Sequence, residues 1–128
     1  TTEIYTLSLH DALPIFAHLA KLLLNHGVPS VVSLVSPYLE NRANAKEIIN
    51  AGDQFAECYV KCSLEKCEER DVKGMYAKAR AGEIKGFTGI DDPYEAPEKA
   101  DLVVDTEHDS LSDSANKVKD FLKGRNLL

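Results

Sequence analysis

Apolar residues along the chain recur with two different spacings, and turn-forming residues separate the segments. Over Phe16–His26 they recur every three or four residues, which predicts an amphipathic helix ended by Gly27. Ser30–Val35 is a short run rich in β-branched residues, typical of a strand buried on both faces of a parallel sheet. A second helix is predicted over about Glu40–Asn50, and a second strand over Phe55–Val60.

The second half of the chain shows the same kind of alternation. Ser63 is the predicted N-cap of a third helix that runs through Arg70. Leu102–Val104, between two aspartates, predicts a third short strand toward the edge or end of the sheet. Ser110 and Asp113 form a capping box for a last helix. The expected apolar face of that helix, before Gly124 ends it, consists of Leu111, Ala115, Val118 and Leu122.

The order of these elements predicts the fold class. Helices alternate with strands, and a glycine-rich segment precedes the last strand, so parallel strands joined by right-handed crossovers are expected. The predicted fold is therefore α/β, with a parallel sheet and flanking helices. Ligands of such folds collect at the carboxyl ends of the strands, where the loop Ser36–Tyr38 leaves the first predicted strand.

Composition and charge limit the classes of function. The 128 residues are 44% hydrophobic and 28% charged, typical of one globular domain, and the net charge of −6 argues against a nucleic-acid partner. Cys58, Cys62 and Cys67 contain no Cys-x-x-Cys pair and have no histidine nearby, so neither a metal site nor a disulfide framework is predicted. With no apolar run near about 18 residues, no membrane partner is expected, and a reducing cytoplasmic location is predicted.

Glu69–Pro97, called the lid segment below, is the most informative part of the chain. It combines glycines with clustered positive charge, and Phe87 lies between Gly86 and Gly89. A mobile segment that closes over an anionic ligand needs such chemistry, and a ring flanked by glycines can turn outward to stack on a base. Composition alone also fits a solvated helix and loop, but the order of residues favours a phosphate-binding lid. Its cations are Lys73, Lys78, Arg80 and Lys85.

The order of residues in the lid segment resembles that of adenylylsulfate kinase. The motifs that carry the resemblance are Arg70-Asp71-x-Lys73-Gly74, Lys85-Gly86-Phe87-Thr88-Gly89-Ile90-Asp91 and Tyr94-Glu95-x-Pro97. Upstream, Val35-Ser36-Pro37-Tyr38 resembles the family's Ile-Ser-Pro-aromatic segment, and Arg42 matches the second residue of a basic pair. Lys61 stands where the family has an acid. The resemblance runs from about Phe16 to Leu128, so 16–128 is predicted to be a partial adenylylsulfate kinase-like domain.

The resemblance implies a P-loop NTPase-like fold and a reaction. Phosphoryl transfer from ATP with Mg²⁺ to the 3′-hydroxyl of adenylylsulfate gives 3′-phosphoadenylylsulfate in sulfate assimilation, by an enzyme that is typically a homodimer. Arg70 would lie against the ATP adenine, and Ser36 is also a candidate phosphoserine. Lys78, Arg80 and Lys85 would supply positive field from the lid. The substrate-binding residues implied are Val35, Ser36, Lys73, Gly86 and Phe87.

Two features separate the chain from the family pattern. The 128 residues contain no Gly-x-x-x-x-Gly-Lys-Ser/Thr loop, whose amides, lysine and hydroxyl bind the ATP phosphates and magnesium. Thr1–Ile15 has no family counterpart, and we expect it to be translated adapter sequence joined to the C-terminal two-thirds of the enzyme. The alternative is a natural arm in place of the nucleotide loop. We therefore expect this polypeptide to turn over slowly or not at all.

Two other classes of function stay open. One is a noncatalytic module that binds adenylylsulfate or another nucleotide without transferring phosphate. The other is a different small-metabolite kinase of the same fold, although Lys85–Asp91 resembles a substrate-side motif rather than a general nucleotide motif. No general base is assigned, since phosphoryl transfer relies mainly on positioning and charge stabilisation.

Overall fold

The computed structural model describes the backbone of residues 9–126 and the side chains of residues 12–126. Residues 1–8, which belong to the predicted non-family segment, lie outside the described residues. The chain divides into two compact units, one ending at Phe55 and the other beginning at Ala56. The elements are α1 Leu9–Asn25, α2 Leu39–Ile49, a short 3-10 helix Gly52–Gln54, β1 Cys58–Lys61, α3 Leu64–Arg70, α4 Met75–Arg80, β2 Leu102–Asp105 and α5 Leu111–Gly124.

The first unit is a pair of helices. Helix α1 begins at Leu9, earlier than the predicted Phe16, and it accommodates Pro14. The most buried side chains of α1 and α2 are alanines, which let two helices approach closely. Helix α2 ends where Asn50 adopts a left-handed conformation with φ of 49°. Both predicted helices of this unit are therefore confirmed. The buried alanines are Ala17, Ala20 and Ala45.

The strand predicted over Ser30–Val35 is wrong. Residues 28–38 have neither helical nor strand structure, and the Val31 side chain is 87% exposed. A β-branched run becomes a strand only when a neighbouring strand accepts its backbone hydrogen bonds. Within residues 9–126 the sheet has two strands, and neither of them pairs with this run.

The second unit contains a parallel two-stranded sheet. Strand β1 pairs with β2 in a register that places Cys58 opposite Leu102 and Lys61 opposite Asp105. The predicted last strand is thus confirmed, whereas β1 begins three residues later than the predicted Phe55. The pairing explains the shift, because the ladder starts only where β2 supplies partners. Just before it, the Glu57 amide donates to the Asp101 carboxylate at 2.8 Å.

Side-chain caps begin the helices that flank this sheet. The Ser63 hydroxyl accepts a hydrogen bond from the Lys66 amide at 3.3 Å, which caps α3 as predicted. At the start of α5 the Ser110 hydroxyl accepts from the Asp113 amide at 3.1 Å and donates to the Asp113 carboxylate at 2.6 Å. Both predicted caps are confirmed.

The predicted apolar face of α5 is wrong at its start. Leu111 directly follows the cap and is 88% exposed, and Ala115 is also exposed. The side of α5 that packs on the sheet instead carries buried Ser114 and half-buried Val118 and Phe121. These three residues have the i, i+4, i+7 spacing of a single helix face. The first turn therefore turns its leucine to solvent and buries a small serine.

The described residues contain neither a membrane-spanning helix nor a metal-binding cluster. No helix within residues 9–126 combines the length and the apolar character needed to cross a membrane. Among the side chains of residues 12–126, no group of three histidine, cysteine, aspartate or glutamate residues is placed to hold a metal ion. All three cysteines are free thiols.

Candidate functional site

The carboxyl ends of β1 and β2 form a cross-linked edge of the second unit. Lys61 and Asp105 are the last residues of the two strands and lie opposite each other. The Thr106 amide and hydroxyl both donate to the Lys61 carbonyl, at 2.9 and 3.0 Å. The Ser63 amide donates to the Glu107 carboxylate at 2.9 Å. These bonds hold the residues that follow both strands, where α/β folds bind ligands.

Asp105 compensates the lysine that departs from the expected pattern. Its carboxylate lies 3.0 Å from Nδ1 of His108 and 3.3 Å from Nζ of Lys61. The His108 bond and then the Lys61 bond lower the pKa of Asp105 to about 2, so the carboxylate is ionised at neutral pH. Lys61 therefore brings no unbalanced positive charge to this edge.

Arg70, the last residue of α3, spans the same edge. Its Nη2 donates to the Thr106 carbonyl at 2.7 Å, and its Nη1 lies 3.8 Å from the Cys62 sulfur. One side chain thus contacts the residues that follow both strands. The guanidinium is held in one orientation while remaining exposed, so one face can still meet a ligand.

Asp71 anchors helix α4, the helical part of the lid segment. One carboxylate oxygen accepts the Tyr76 amide at 3.0 Å and the other accepts the Ala77 amide at 3.0 Å. Gly74, with φ of +65°, makes the left-handed turn that leads into the helix. The hydrogen bonds from the Ala77 and Tyr76 amides lower the pKa of Asp71. The ionised carboxylate therefore stabilises the start of α4.

Acid should release this anchor. Because the folded-state pKa of Asp71 is lowered, its stabilisation is complete above the ordinary value of 3.8 and is lost as pH falls through the lowered value. We expect the Tyr76 and Ala77 amide resonances to titrate together with the Asp71 carboxyl in NMR spectra. In an Asp71→Asn variant the titration should vanish from both amides. Amides that still shift in that variant would place control of α4 on another group.

The glycine-rich part of the lid segment is a closed turn that holds Phe87. The Phe87 carbonyl accepts hydrogen bonds from the Ile90 and Asp91 amides, both at 3.0 Å. Gly89 has φ of +89°, and a Cβ there would lie 3.1 Å from the Leu64 side chain. The Phe87 ring meets the Tyr76 ring edge-on, with centroids 5.0 Å apart. The turn and Tyr76 together fix where the Phe87 ring lies.

A cleft of about 400 Å³ lies between these groups, within the second unit. It brings together three residues predicted to bind ligands: Arg70, Lys73 and Phe87. Lys73 is exposed, and among the described residues its ammonium forms no hydrogen bond or ion pair. An aromatic ring beside two cations suits a flat base joined to an anionic group. The remaining lining residues are Cys67, Asp71, Val72, Met75 and Tyr76.

Other predicted lid residues lie outside the lining of this cleft. Lys78 and Lys85 are exposed, whereas Arg80 binds Glu68 of α3, with its Nε 3.2 Å from the carboxylate. The hydrogen bond to Glu68 raises the pKa of Arg80. Gly86 has φ of +65°, and a Cβ there would lie 3.6 Å from the Asp92 carboxylate. Of these four residues, Arg80 is therefore engaged in joining α4 to α3.

Ser36 and Val35 belong to the first unit. Ser36 adopts φ of +40°, a backbone conformation that is costly for a residue with a side chain. Its carbonyl accepts a hydrogen bond from Nη1 of Arg42 at 2.6 Å, and the adjoining Pro37 is fully buried. Val35 is 49% exposed. Strain of this kind is frequent at ligand sites, which agrees with a role for Ser36 beyond packing.

Comparison with known proteins decides the family. A family model described as adenylylsulphate kinase matches residues 10–105. The chain belongs to the adenylylsulphate kinase family. The match begins before Phe16, where the sequence predicts the family domain to start, and it ends with the last residue of β2. The predicted fold class, α/β with parallel strands, is thus confirmed.

Similar proteins with an assigned name agree with membership of the adenylylsulphate kinase family. Adenylyl-sulfate kinase of Halothermothrix orenii is 50% identical over 104 residues, covering 81% of this chain and 55% of that protein. The enzyme of Staphylococcus epidermidis is 45% identical over 104 residues, which cover 81% of this chain and 52% of that protein. A structure of the Mycobacterium tuberculosis APS kinase in complex with AMPPNP and APS matches with a TM-score of 0.80 at 41% identity. The match covers 89% of this chain and 66% of that one. The chain spans about half the length of the curated relatives it matches.

The structure adds two site residues of this adenylylsulphate kinase family member that the sequence argument missed. Asp71 belongs to the motif Arg70-Asp71-x-Lys73-Gly74, and the structure shows that its carboxylate also accepts the first amides of α4. Tyr76 lies eleven residues before Phe87, and no local pattern links two rings at that separation. Asp71 could have been found from the acid-and-glycine pattern before a helix, whereas Tyr76 required the folded turn.

Proposed function

We propose that this chain provides the substrate-binding part of an adenylylsulfate kinase. The observation that carries the proposal is the cleft in which Arg70, Lys73 and Phe87 meet. Adenylylsulfate combines an adenine ring with a phosphosulfate group, so it has both the flat face and the charge that this lining suits. Membership of the family and the named relatives support the same substrate.

Each cleft residue has a proposed role. The exposed part of the Phe87 ring stacks on the substrate adenine, and Tyr76 supports the ring from its edge. Lys73 binds the phosphosulfate or the transferring phosphate through its exposed ammonium. Arg70, which Thr106 orients, lies against the adenine of ATP. Gly86 lets the backbone approach the substrate, and Val35 and Ser36 are assigned to substrate binding through backbone and hydroxyl.

The proposed reaction is transfer of the γ-phosphoryl group of ATP to the 3′-hydroxyl of adenylylsulfate. The hydroxyl oxygen bonds to the γ-phosphorus, the bond from that phosphorus to the bridging oxygen breaks, ADP leaves, and the hydroxyl proton is lost. The 128 residues contain no Gly-x-x-x-x-Gly-Lys-Ser/Thr loop, and the described side chains form no group that could hold Mg²⁺. Binding of the ATP phosphates and of Mg²⁺ is therefore not assigned to residues of this chain. A homodimer and a cytoplasmic location remain part of the proposal.

A fusion tests the assignment. The part of the Halothermothrix orenii enzyme that precedes its matching region is joined to residues 16–128, and adenylylsulfate-dependent formation of ADP is measured. We expect the fusion to transfer phosphate and the 128-residue chain alone to do so slowly or not at all. The matched control is the fusion carrying Phe87→Ala. A folded fusion that binds adenylylsulfate without forming ADP would favour the noncatalytic module, and one that prefers another metabolite would favour a different kinase.

A further inference from the structure

Two cysteines flank the start of helix α3. Ser63 is the N-cap, so Cys62 is the residue before the cap and Cys67 is the fourth residue of the helix. Side chains at these two positions pack against each other across a helix start, a contact usually made by two apolar groups. Here both are thiols, and their side chains lie close enough to interact. The cap that begins α3 therefore also brings two sulfur atoms together.

The two thiols differ in their surroundings. The Arg70 guanidinium lies beside Cys62, with Nη1 3.8 Å from the Cys62 sulfur. Burial, and then the bond with Cys62, raise the pKa of the Cys67 thiol. Cys67 also interacts with the Tyr76 hydroxyl. Burial and then this interaction raise the pKa of Tyr76 to about 12. The Cys62 thiol thus has a cation beside it, while burial keeps the Cys67 thiol protonated to higher pH.

We propose that Cys62 and Cys67 form a reversible thiol–disulfide pair that reacts with low-molecular-weight disulfides. The Cys62 thiolate attacks one sulfur of glutathione disulfide, whose S–S bond breaks and releases one glutathione thiolate. The Cys67 thiol, losing its proton to water, then attacks the Cys62 sulfur and displaces the second glutathione. Two cysteine thiols lose two electrons and become a disulfide, and one glutathione disulfide gains them and becomes two glutathiones.

The position of the pair connects it to the candidate site. Cys67 lines the cleft, and the Tyr76 ring that its sulfur contacts supports the Phe87 ring. Disulfide formation withdraws the Cys67 thiol from the Tyr76 hydroxyl, so oxidation alters one wall of the cleft. Closing the disulfide requires a separation of about 4.4–6.8 Å between the Cα atoms of Cys62 and Cys67. The proposal does not depend on the function assigned to the cleft.

Mass spectrometry of the 128-residue chain tests the proposal. After incubation with glutathione disulfide and acid quenching, we expect a loss of two hydrogens, a peptide that links Cys62 to Cys67, and full reversal by dithiothreitol. Cys58 provides the matched control because it is exposed and lies in the neighbouring strand. The Cys58→Ser variant should form the same bridge. Cys67→Ser should stop with one glutathione on Cys62.

The rate of disulfide formation shows whether the fold promotes the reaction or whether the two cysteines react only because they are close in sequence. In the folded chain the bridge should form about tenfold faster than in concentrated urea, because folding aligns the sulfurs and places Arg70 beside Cys62. An Arg70→Gln variant should form the same product more slowly. A bridge to Cys58, glutathione adducts that never close in the Cys58→Ser chain, or equal rates with and without urea would overturn the proposal.

Discussion

Replacing Phe87 by alanine is expected to weaken adenylylsulfate binding by about 1–3 kcal/mol, which is the usual loss when a base loses its aromatic platform. The Phe87 ring is half-buried, with its edge contact to Tyr76 on one side and the cleft on another. Removal of the ring deletes the stacking surface but leaves the turn that Gly86 and Gly89 permit. Titration calorimetry of the chain with adenylylsulfate measures the change in Kd.

A second aromatic residue provides the control for stability. Phe121 of α5 is also half-buried and has the Arg125 guanidinium 4.8 Å from its ring centroid, but it does not line the cleft. Phe121→Ala should lower the melting temperature and leave the Kd for adenylylsulfate unchanged. If Phe87→Ala instead lowers the melting temperature without changing the Kd, Phe87 is a packing residue and its stacking role is wrong.

Local signals in the sequence predicted much of the second unit because they act over a few residues. Ser63 and Ser110 satisfy amides three residues away, so the start of each helix can be read from neighbouring letters. Sequence motifs predict ligand contacts for Arg70, Lys73 and Phe87, and the fold brings these residues to one cleft.

Features that depend on distant partners could not be read in the same way. Ser30–Val35 has the composition of a strand, but strand formation requires a partner for each backbone group, and no described strand supplies one. The face of α5 that becomes buried depends on where the sheet lies, so Ser114 is buried while Leu111 is exposed. The pairing of Arg80 with Glu68 joins two helices across a turn, and it converts an apparent lid cation into a structural one.

Lys73→Met is expected to weaken adenylylsulfate binding by about 1.5–3 kcal/mol, roughly ten- to a hundredfold, because it removes a hydrogen bond to a charged group. Methionine retains much of the aliphatic length and changes mainly the charge. Since Lys73 is exposed and unpaired among the described residues, its ammonium need not give up a protein partner to meet the ligand. The wild-type Kd should also rise with salt more steeply than the Kd of the variant.

Arg80→Met is the matched control, since it removes one positive charge from the same lid segment. Arg80 lies outside the cleft lining and binds Glu68, so its loss should lower stability and leave the Kd for adenylylsulfate nearly unchanged. If both variants weaken binding equally, and both reduce its salt dependence equally, the lid acts through its summed field. In that case Lys73 has no specific contact. A large effect of Lys73→Met alone places the anionic group of the ligand beside Phe87, because both residues line one cleft.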